Sequence, residues 1–251
     1  MKSTRQEVCA GQQAVRWKVP SACSRPPAGT VMASKHRLNI TAIEASLVSV
    51  QREFPRINAI LTSRRDPLTD EVVANMVAGY RHVDDCLAKG IDLFRMGKSA
   101  HLLELNRVVL CGDAGRRQEC SARQLRITEQ HFYETDGGGV GALMDWLDVH
   151  QHATVWKRAA GVFTRVLSQP QLYVEGNHRT GALLMSYLLV REGQPPFVLT
   201  VDNARNFFEP ASLIKKRKKH GLDNLLKLPK MTKRLARQFE EQADNCYLQV
   251  D

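Results

Sequence analysis

Apolar residues recur three or four positions apart along most of the chain, which is typical of amphipathic helices. In the segment 40–61 this spacing predicts a helix that Pro55 breaks. Asp70 is expected to cap the next helix. The same spacing predicts helices over about 71–89, 99–111, 140–149, 154–167 and 183–191, and further helices after Pro210, one of them at about 232–243.

One segment departs from this spacing. Residues 123–133 alternate weakly between polar and apolar types, contain β-forming residues and precede three glycines at 137–139. This pattern predicts a short strand or hairpin with a flexible end. The predicted fold is therefore mainly α, with one small β element.

The basic residues are concentrated at the two ends of the chain. Its 251 residues carry a net charge of +10, yet residues 1–37 hold seven Lys/Arg against one acid and residues 211–251 hold ten against five. We divide the chain into a disordered basic segment (1–37), N-terminal helices (38–98), a core (99–205) and a basic helical tail (206–251). Basic flanks suit nucleic acid or an anionic surface, but they are also common as solvated tails.

Composition favours a cytoplasmic protein without a membrane span. No apolar run approaches the roughly 18 residues that a span needs, and the N-terminus lacks a secretory signal pattern. The six cysteines form no CxxC pair, which predicts scattered reduced thiols.

The stretch 171–182, QLYVEGNHRTGA, carries the candidate chemistry and is called the motif segment below. A Gly-Asn turn before a helix lets main-chain N–H groups converge on an anion. Arg179 can bind two phosphate oxygens, and Glu175 is placed to coordinate Mg²⁺. A structural alternative remains open, in which Asn177 only caps the helix while Glu175 and Arg179 form a surface pair.

The motif segment resembles the signature of the Fic (Fic/Doc) family, His-Pro-Phe-x-(Asp/Glu)-Gly-Asn-Gly-(Arg/Lys)-x-x-Arg. Glu175, Gly176, Asn177 and Arg179 match in register, and Tyr173 is a fair substitute for the Phe. The likeness covers roughly residues 99–200. It includes 180–196 (the helix after the motif and a Gly-x-Pro-Pro exit), 101–107 with 115–117 (an early helix and turn), and 127–133 at the position of the family's β-hairpin flap.

The resemblance implies a Fic-like helical core with a short β-hairpin flap. It also implies transfer of a phosphate-containing group, most often AMP from ATP, to a protein hydroxyl. Glu175 would then hold Mg²⁺, Gly176 and Asn177 would line the anion hole, and Arg179 would hold the β-phosphate. The target protein would dock at the flap, near Ile127–Tyr133, through main-chain bonding.

Three positions depart from the family signature. Gln171 stands where the family has its catalytic His, and glutamine cannot accept a proton at neutral pH. Ala182 replaces the last Arg of the signature, and His178 replaces its second Gly. His178 either takes over the role of the base or lies at the start of the helix and faces solvent. Gln171 and His178 are therefore the candidate catalytic residues.

Two functions follow from this comparison. The first is a Fic-type nucleotidyltransferase that moves AMP or another phosphate-linked group from ATP or another nucleotide donor to a protein hydroxyl. The alternative is an inactive Fic-fold pseudoenzyme that binds a nucleotide or a partner. A nucleic-acid-binding protein, suggested by the basic run 215–219, is not favoured because the motif segment gives it no support.

Overall fold

The computed structural model describes residues 35–113, 121–134, 138–220 and 222–250, all within one compact unit, Val31–Asp251. These residues form a mainly α-helical fold with one two-stranded antiparallel sheet, which confirms the predicted fold class. The elements are β1 (His36–Leu38), α1 (Ile40–Ala59), α2 (Asp70–Ala88), α3 (Ala100–Cys111), α4 (Ala122–Glu134), α5 (Val140–Val149), α6 (Val155–Leu167), α7 (Asn177–Arg191), α8 (Ala204–Lys215), α9 (Leu222–Glu241), a short 3₁₀ helix (Asn245–Tyr247) and β2 (Leu248–Val250).

Helix α7 is the central helix of the fold that the described residues form. All its residues from 180 to 190 are buried, and it packs against α2, α3 and α6. A helix that is apolar on all sides needs such a surrounding layer, because no side of it can face water without cost. The motif segment leads directly into this helix, so its position is fixed by the core.

The segment 123–133 is helical, which contradicts the predicted strand or hairpin. It lies within α4, where Thr128 and Phe132 are the buried residues and stand one helical turn apart. Thr128 is polar and was not counted in the apolar pattern, so the helical spacing was hidden. Residues 122–134 contain no Gly or Pro that would interrupt a helix.

The two-stranded sheet joins the two ends of the described chain. β1 pairs with β2 in antiparallel register, with His36 opposite Val250. Arg37 forms an ion pair with Asp84 of α2 at 2.5 Å, and Asp84 also accepts a hydrogen bond from the main chain of Leu38. The predicted disordered segment 1–37 thus ends too late, since 36 and 37 belong to β1; residues 1–34 lie outside the described residues.

Two helices in the predicted basic helical tail (206–251) pack against the rest of the fold. Helices α8 and α9 bury apolar side chains against α6. Basic residues lie on the outer side of α9, which explains why composition alone suggested a tail. The buried residues of this region are Phe207, Phe208, Ala211, Ile214, Leu235, Ala236 and Phe239.

Several predicted helix boundaries also need correction. Pro55 lies inside α1 and Pro210 lies inside α8, so neither ends its helix. Burial of Phe54 and Ile57 on either side of Pro55 offsets the hydrogen bond that proline removes. The N-cap of α2 is Thr69, whose side chain accepts from the Val72 N–H, rather than Asp70.

The thiols differ from the expectation of uniformly reduced cysteines. Cys111 is disulfide-bonded, whereas Cys86 is a buried free thiol and Cys246 an exposed one.

Among the described residues, none of the helices has both the length and the apolar character needed to cross a bilayer.

Candidate functional site

The motif segment turns sharply at Gly176, immediately before α7. Gly176 has a φ of +75°, in the left-handed region that favours glycine. A Cβ atom at this position would also lie 2.9 Å from the side-chain nitrogen of Asn106. Conformation and space therefore both require glycine here.

Two buried asparagines hold the turn in place. Asn177 exchanges two hydrogen bonds with the main chain of Tyr173, donating to its oxygen at 2.7 Å and accepting from its N–H at 2.9 Å. Asn106 of α3 donates to the main-chain oxygen of Glu175 at 3.0 Å and to the Thr180 hydroxyl at 2.9 Å. The side chain of Asn177 is thus occupied within the loop, and neither caps α7 nor points to a ligand.

The N-terminus of α7 is left without a cap. Its N-cap residue is Gly176, and none of the described side chains accepts a hydrogen bond from its first turn. The first N–H groups of a helix have no acceptor within the helix and carry a partial positive charge. Such N–H groups favour an anion, and the predicted anion-binding role of Gly176 and Asn177 stays a prediction, since neither residue lines the cavity that Glu175 faces.

Glu175 faces a cavity of about 540 Å³ between α3, α4 and the motif segment. Its carboxylate accepts a hydrogen bond from Gln124 of α4 at 3.2 Å. Three further glutamates line this acidic cavity against one arginine, Arg107, which pairs with one of them at 3.5 Å. The four glutamates are Glu71, Glu104, Glu129 and Glu175.

Glu175 suits one position in the coordination shell of Mg²⁺, because it is exposed to the cavity and carboxylate oxygens are preferred ligands of this ion. Within the described ranges, no group of three or more His, Cys, Asp or Glu side chains is arranged to hold a metal ion. Mg²⁺ at Glu175 would therefore need most of its ligands from water or from a bound phosphate.

Gln171 does not line the acidic cavity. Its side-chain amide donates to the main-chain oxygen of Leu167, at 3.2 Å, in the last turn of α6. Its own main-chain oxygen accepts from His131 of α4 at 2.8 Å. Gln171, which stands where the Fic signature has its catalytic His, thus connects the loop to α4 and α6 through hydrogen bonds.

His178 does not line the acidic cavity. Its Nε2 atom is 3.3 Å from Arg65, which donates to it, and its side chain lines a small apolar cavity of about 80 Å³ beside Ala182. Burial, aided by the charges of Arg65, Lys215 and Arg179, lowers the pKa of His178 to about 3. The imidazole is therefore neutral at physiological pH, and its acceptor nitrogen is already occupied.

Arg179 lies at the boundary between the motif segment and α3. It donates to the main-chain oxygen of Val109 at 3.0 Å. Burial lowers the pKa of this guanidinium, while the charges of Glu175 and Glu71 act in the opposite direction. Both glutamates line the acidic cavity, whereas Arg179 itself lines the small apolar cavity beside His178.

Three residues that matter to the site were not assigned roles from the sequence. Asn106 supports the turn, Gln124 contacts Glu175, and Arg65 fixes His178 while lying over the ring of Phe208 at 4.9 Å. The position of Arg65, 113 residues before its partner, leaves no local pattern by which to find it. Asn106 was noted only as part of the early helix, although a buried asparagine in an apolar helix signals a specific polar partner.

The predicted docking surface at Ile127–Tyr133 is part of helix α4. Its Phe132 is fully buried and stacks on Tyr173 of the motif segment, with ring centroids 5.4 Å apart. A helix has no free strand edge, so a target protein cannot add a strand here. The associated turn at 115–117 lies outside the described residues.

Comparison with protein-family models, with curated proteins and with solved structures finds no match to this chain.

Proposed function

We propose that this chain is a Fic-like protein that binds a nucleotide together with Mg²⁺ at the motif segment and does not transfer a group from it. The observation that carries the proposal is the uncapped N-terminus of α7 next to Glu175, with both candidate bases directed elsewhere. The resemblance of the motif segment to the Fic signature supplies the class of ligand.

Phosphate binding is supported by the geometry of the turn. Gly176 brings the main chain into the left-handed region just before α7, and the first N–H groups of the helix lack side-chain acceptors among the described residues. Arg179 adds a positive charge one turn further along. Together these groups offer the hydrogen bonds and the field that a phosphate needs.

The need for a divalent cation follows from the charge of the acidic cavity. Four glutamates against one arginine repel a bare nucleotide, which itself carries several negative charges. Mg²⁺ held by Glu175 would neutralise part of both sets of charges. We therefore propose that the nucleotide binds only as its magnesium complex.

The positions of the two candidate bases, Gln171 and His178, support binding without transfer. Activating a protein hydroxyl as nucleophile calls for a proton acceptor, and losing one typically costs about 10²–10⁴ in rate. The amide of Gln171 is bonded to Leu167, and the acceptor nitrogen of His178 is bonded to Arg65. Neither residue lines the cavity that Glu175 faces.

The active transferase is the second candidate function. It is favoured because Glu175, Gly176, Asn177 and Arg179 keep the register of the signature and because Glu175 faces a cavity large enough for a nucleotide. In this case the target protein would have to be bound by the outer face of α4 rather than by strand addition.

The cytoplasmic location stays a prediction. The disulfide at Cys111 is more typical of an oxidising compartment than of a reducing one.

Incubation with ATP labelled on its α-phosphate, in the presence of Mg²⁺ and candidate acceptor proteins, separates the two functions. We expect the wild type and Gln171→His to bind ATP and to label nothing, because the side chain at 171 points to Leu167. Arg179→Ala should lose binding, whereas Arg126→Ala, an exposed change on α4, should keep it. Labelling of any acceptor by the wild type would overturn the proposal in favour of the transferase.

A further inference from the structure

Another cavity, of about 320 Å³, lies between α5, α6 and α9 and shares no lining residue with the acidic cavity. It is lined by four basic side chains, and none of its lining residues is acidic. We call it the cationic cavity and define it by Lys157, Arg165, Lys219 and Lys233. Charged side chains of one sign around a cavity repel each other unless an ion of opposite charge is bound.

Lys219 is the most enclosed of these cations. It is only 7% exposed, and its ammonium group donates to the main-chain oxygens of Gly138 at 3.0 Å and Pro170 at 2.6 Å. An ammonium group has three protons, so one more acceptor can be accommodated. Burial, together with the charge of Arg165, lowers the pKa of Lys219 to about 8.

Ser168 is a second buried polar group on the wall of this cavity. It is 1% exposed, and its hydroxyl has no hydrogen-bond partner among the described residues. Leaving a buried hydroxyl without a partner is unfavourable, and native proteins seldom do so without a reason. A ligand oxygen in the cavity would supply the missing partner.

The aromatic wall of the cavity is already occupied by protein groups. The ring of Trp146 stacks on His150 at 4.2 Å, and the guanidinium of Arg165 lies over it at 5.6 Å from the centroid. These contacts leave little of the Trp146 ring face for stacking by the base of a nucleotide. Recognition in this cavity therefore depends on charge and hydroxyl donors rather than on stacking.

From this arrangement we propose that the cationic cavity binds a small molecule carrying two or more phosphate groups. Four basic side chains match the charge of two phosphates, and the volume is within the range of small-molecule sites. Lys219 and Ser168 form the buried floor, while Lys157 and Lys233 are exposed and reach the ligand from outside. This site does not depend on the proposed function of the motif segment.

Titration calorimetry with inorganic pyrophosphate in the presence of a chelator tests the proposal, because the magnesium-dependent site proposed at Glu175 would stay silent under these conditions. The wild type should bind pyrophosphate. The double variant Lys157→Gln/Lys233→Gln should bind roughly tenfold or more weakly, since it loses two charge-assisted contacts. The control Lys216→Gln/Lys230→Gln has the same net charge, and both its positions are exposed and lie outside the cavity. It should bind as the wild type does.

Ser168→Ala distinguishes a binding role from a structural one. We expect its melting temperature to be unchanged or raised, because a hydroxyl without a partner is removed, and its affinity for pyrophosphate to fall roughly fivefold.

Vesicles containing phosphatidylinositol bisphosphate distinguish a lipid headgroup from a free phosphate compound. If the vesicles retain the wild type but not the Lys157/Lys233 variant, the phosphates belong to a lipid headgroup. Absence of binding to both probes, or equal binding by the cavity variant and its control, would overturn the proposal.

Discussion

At the scale of single residues, His178 shows how a change in the signature alters the chemistry. A glycine at this position would leave the start of α7 open, whereas the imidazole fills space beside Ala182 and binds Arg65. Burial keeps it neutral. Its role is thus to hold Arg65, which also donates to the main-chain oxygen of Phe208 and to the hydroxyl of Ser212.

The lowered pKa of His178 makes the folded state sensitive to acid. The pKa is about 3 in the folded protein and near 6.5 in an unfolded chain, so the unfolded chain takes up the proton first as the pH falls. This contribution to stability is complete above pH 6.5 and is lost progressively toward pH 3. By linkage, the loss at pH 5 is at most about 2 kcal/mol.

Urea unfolding of the wild type and His178→Asn at pH 7 and pH 5 measures this effect. The free energy of unfolding should fall less between the two pH values in the variant than in the wild type. His152→Asn, a change of an exposed histidine, serves as the control and should behave as the wild type does. An equal fall in His178→Asn and the wild type would contradict the pKa assigned to His178.

At the scale of secondary-structure elements, α4 replaces the hairpin that the resemblance implied. It covers the motif segment with the ring of Phe132 on Tyr173 and with His131 bonded to Gln171. Gln124 and Thr128 of the same helix line the acidic cavity. The position of the motif segment, and the access of a ligand to the acidic cavity, therefore depend on how firmly α4 is packed.

Phe132→Ala should lower the free energy of unfolding by about 3–5 kcal/mol, because it removes a fully buried ring and leaves a cavity above Tyr173. Ile127→Ala, on the exposed side of the same helix, should change it by less than about 1 kcal/mol. Chemical denaturation of both variants provides the measurement. Similar small effects from the two changes would mean that α4 does not pack on the motif segment as described.

The sequence predicted elements well where apolar spacing alone determines them. Helices α3, α5 and α6 lie within one residue of their predicted bounds, because each has a continuous apolar face. Helix α4 was missed because its inward positions include Thr128, and α7 was predicted to begin later because its first turn is polar. In the site, the left-handed conformation of Gly176 could be expected because the residue is a glycine before a helix. The contact between His178 and Arg65 could not be expected, because the two residues are far apart in the sequence.

At the level of the fold as a whole, the loop that connects α6 to α7 contributes a residue to each of two cavities of opposite charge. Glu175, near the end of this loop, faces the acidic cavity, and Ser168, at its start, lines the cationic one. Pro170, between them, accepts a hydrogen bond from Lys219. The formal charge of +10, which suggested basic flanks, thus includes a basic cavity built by α6, α9 and Lys219.

Titration calorimetry with ATP measures whether the motif segment binds a nucleotide only together with Mg²⁺. We expect the wild type to bind ATP with Mg²⁺ and to lose this binding in a chelator, apart from any weak binding that Lys157→Gln/Lys233→Gln removes. Glu175→Gln should weaken magnesium-dependent binding by roughly tenfold or more, whereas Glu134→Gln, on α4 outside the cavity, should leave it unchanged. Magnesium-dependent ATP binding that is equally strong in Glu175→Gln, or its absence from the wild type, would contradict the account.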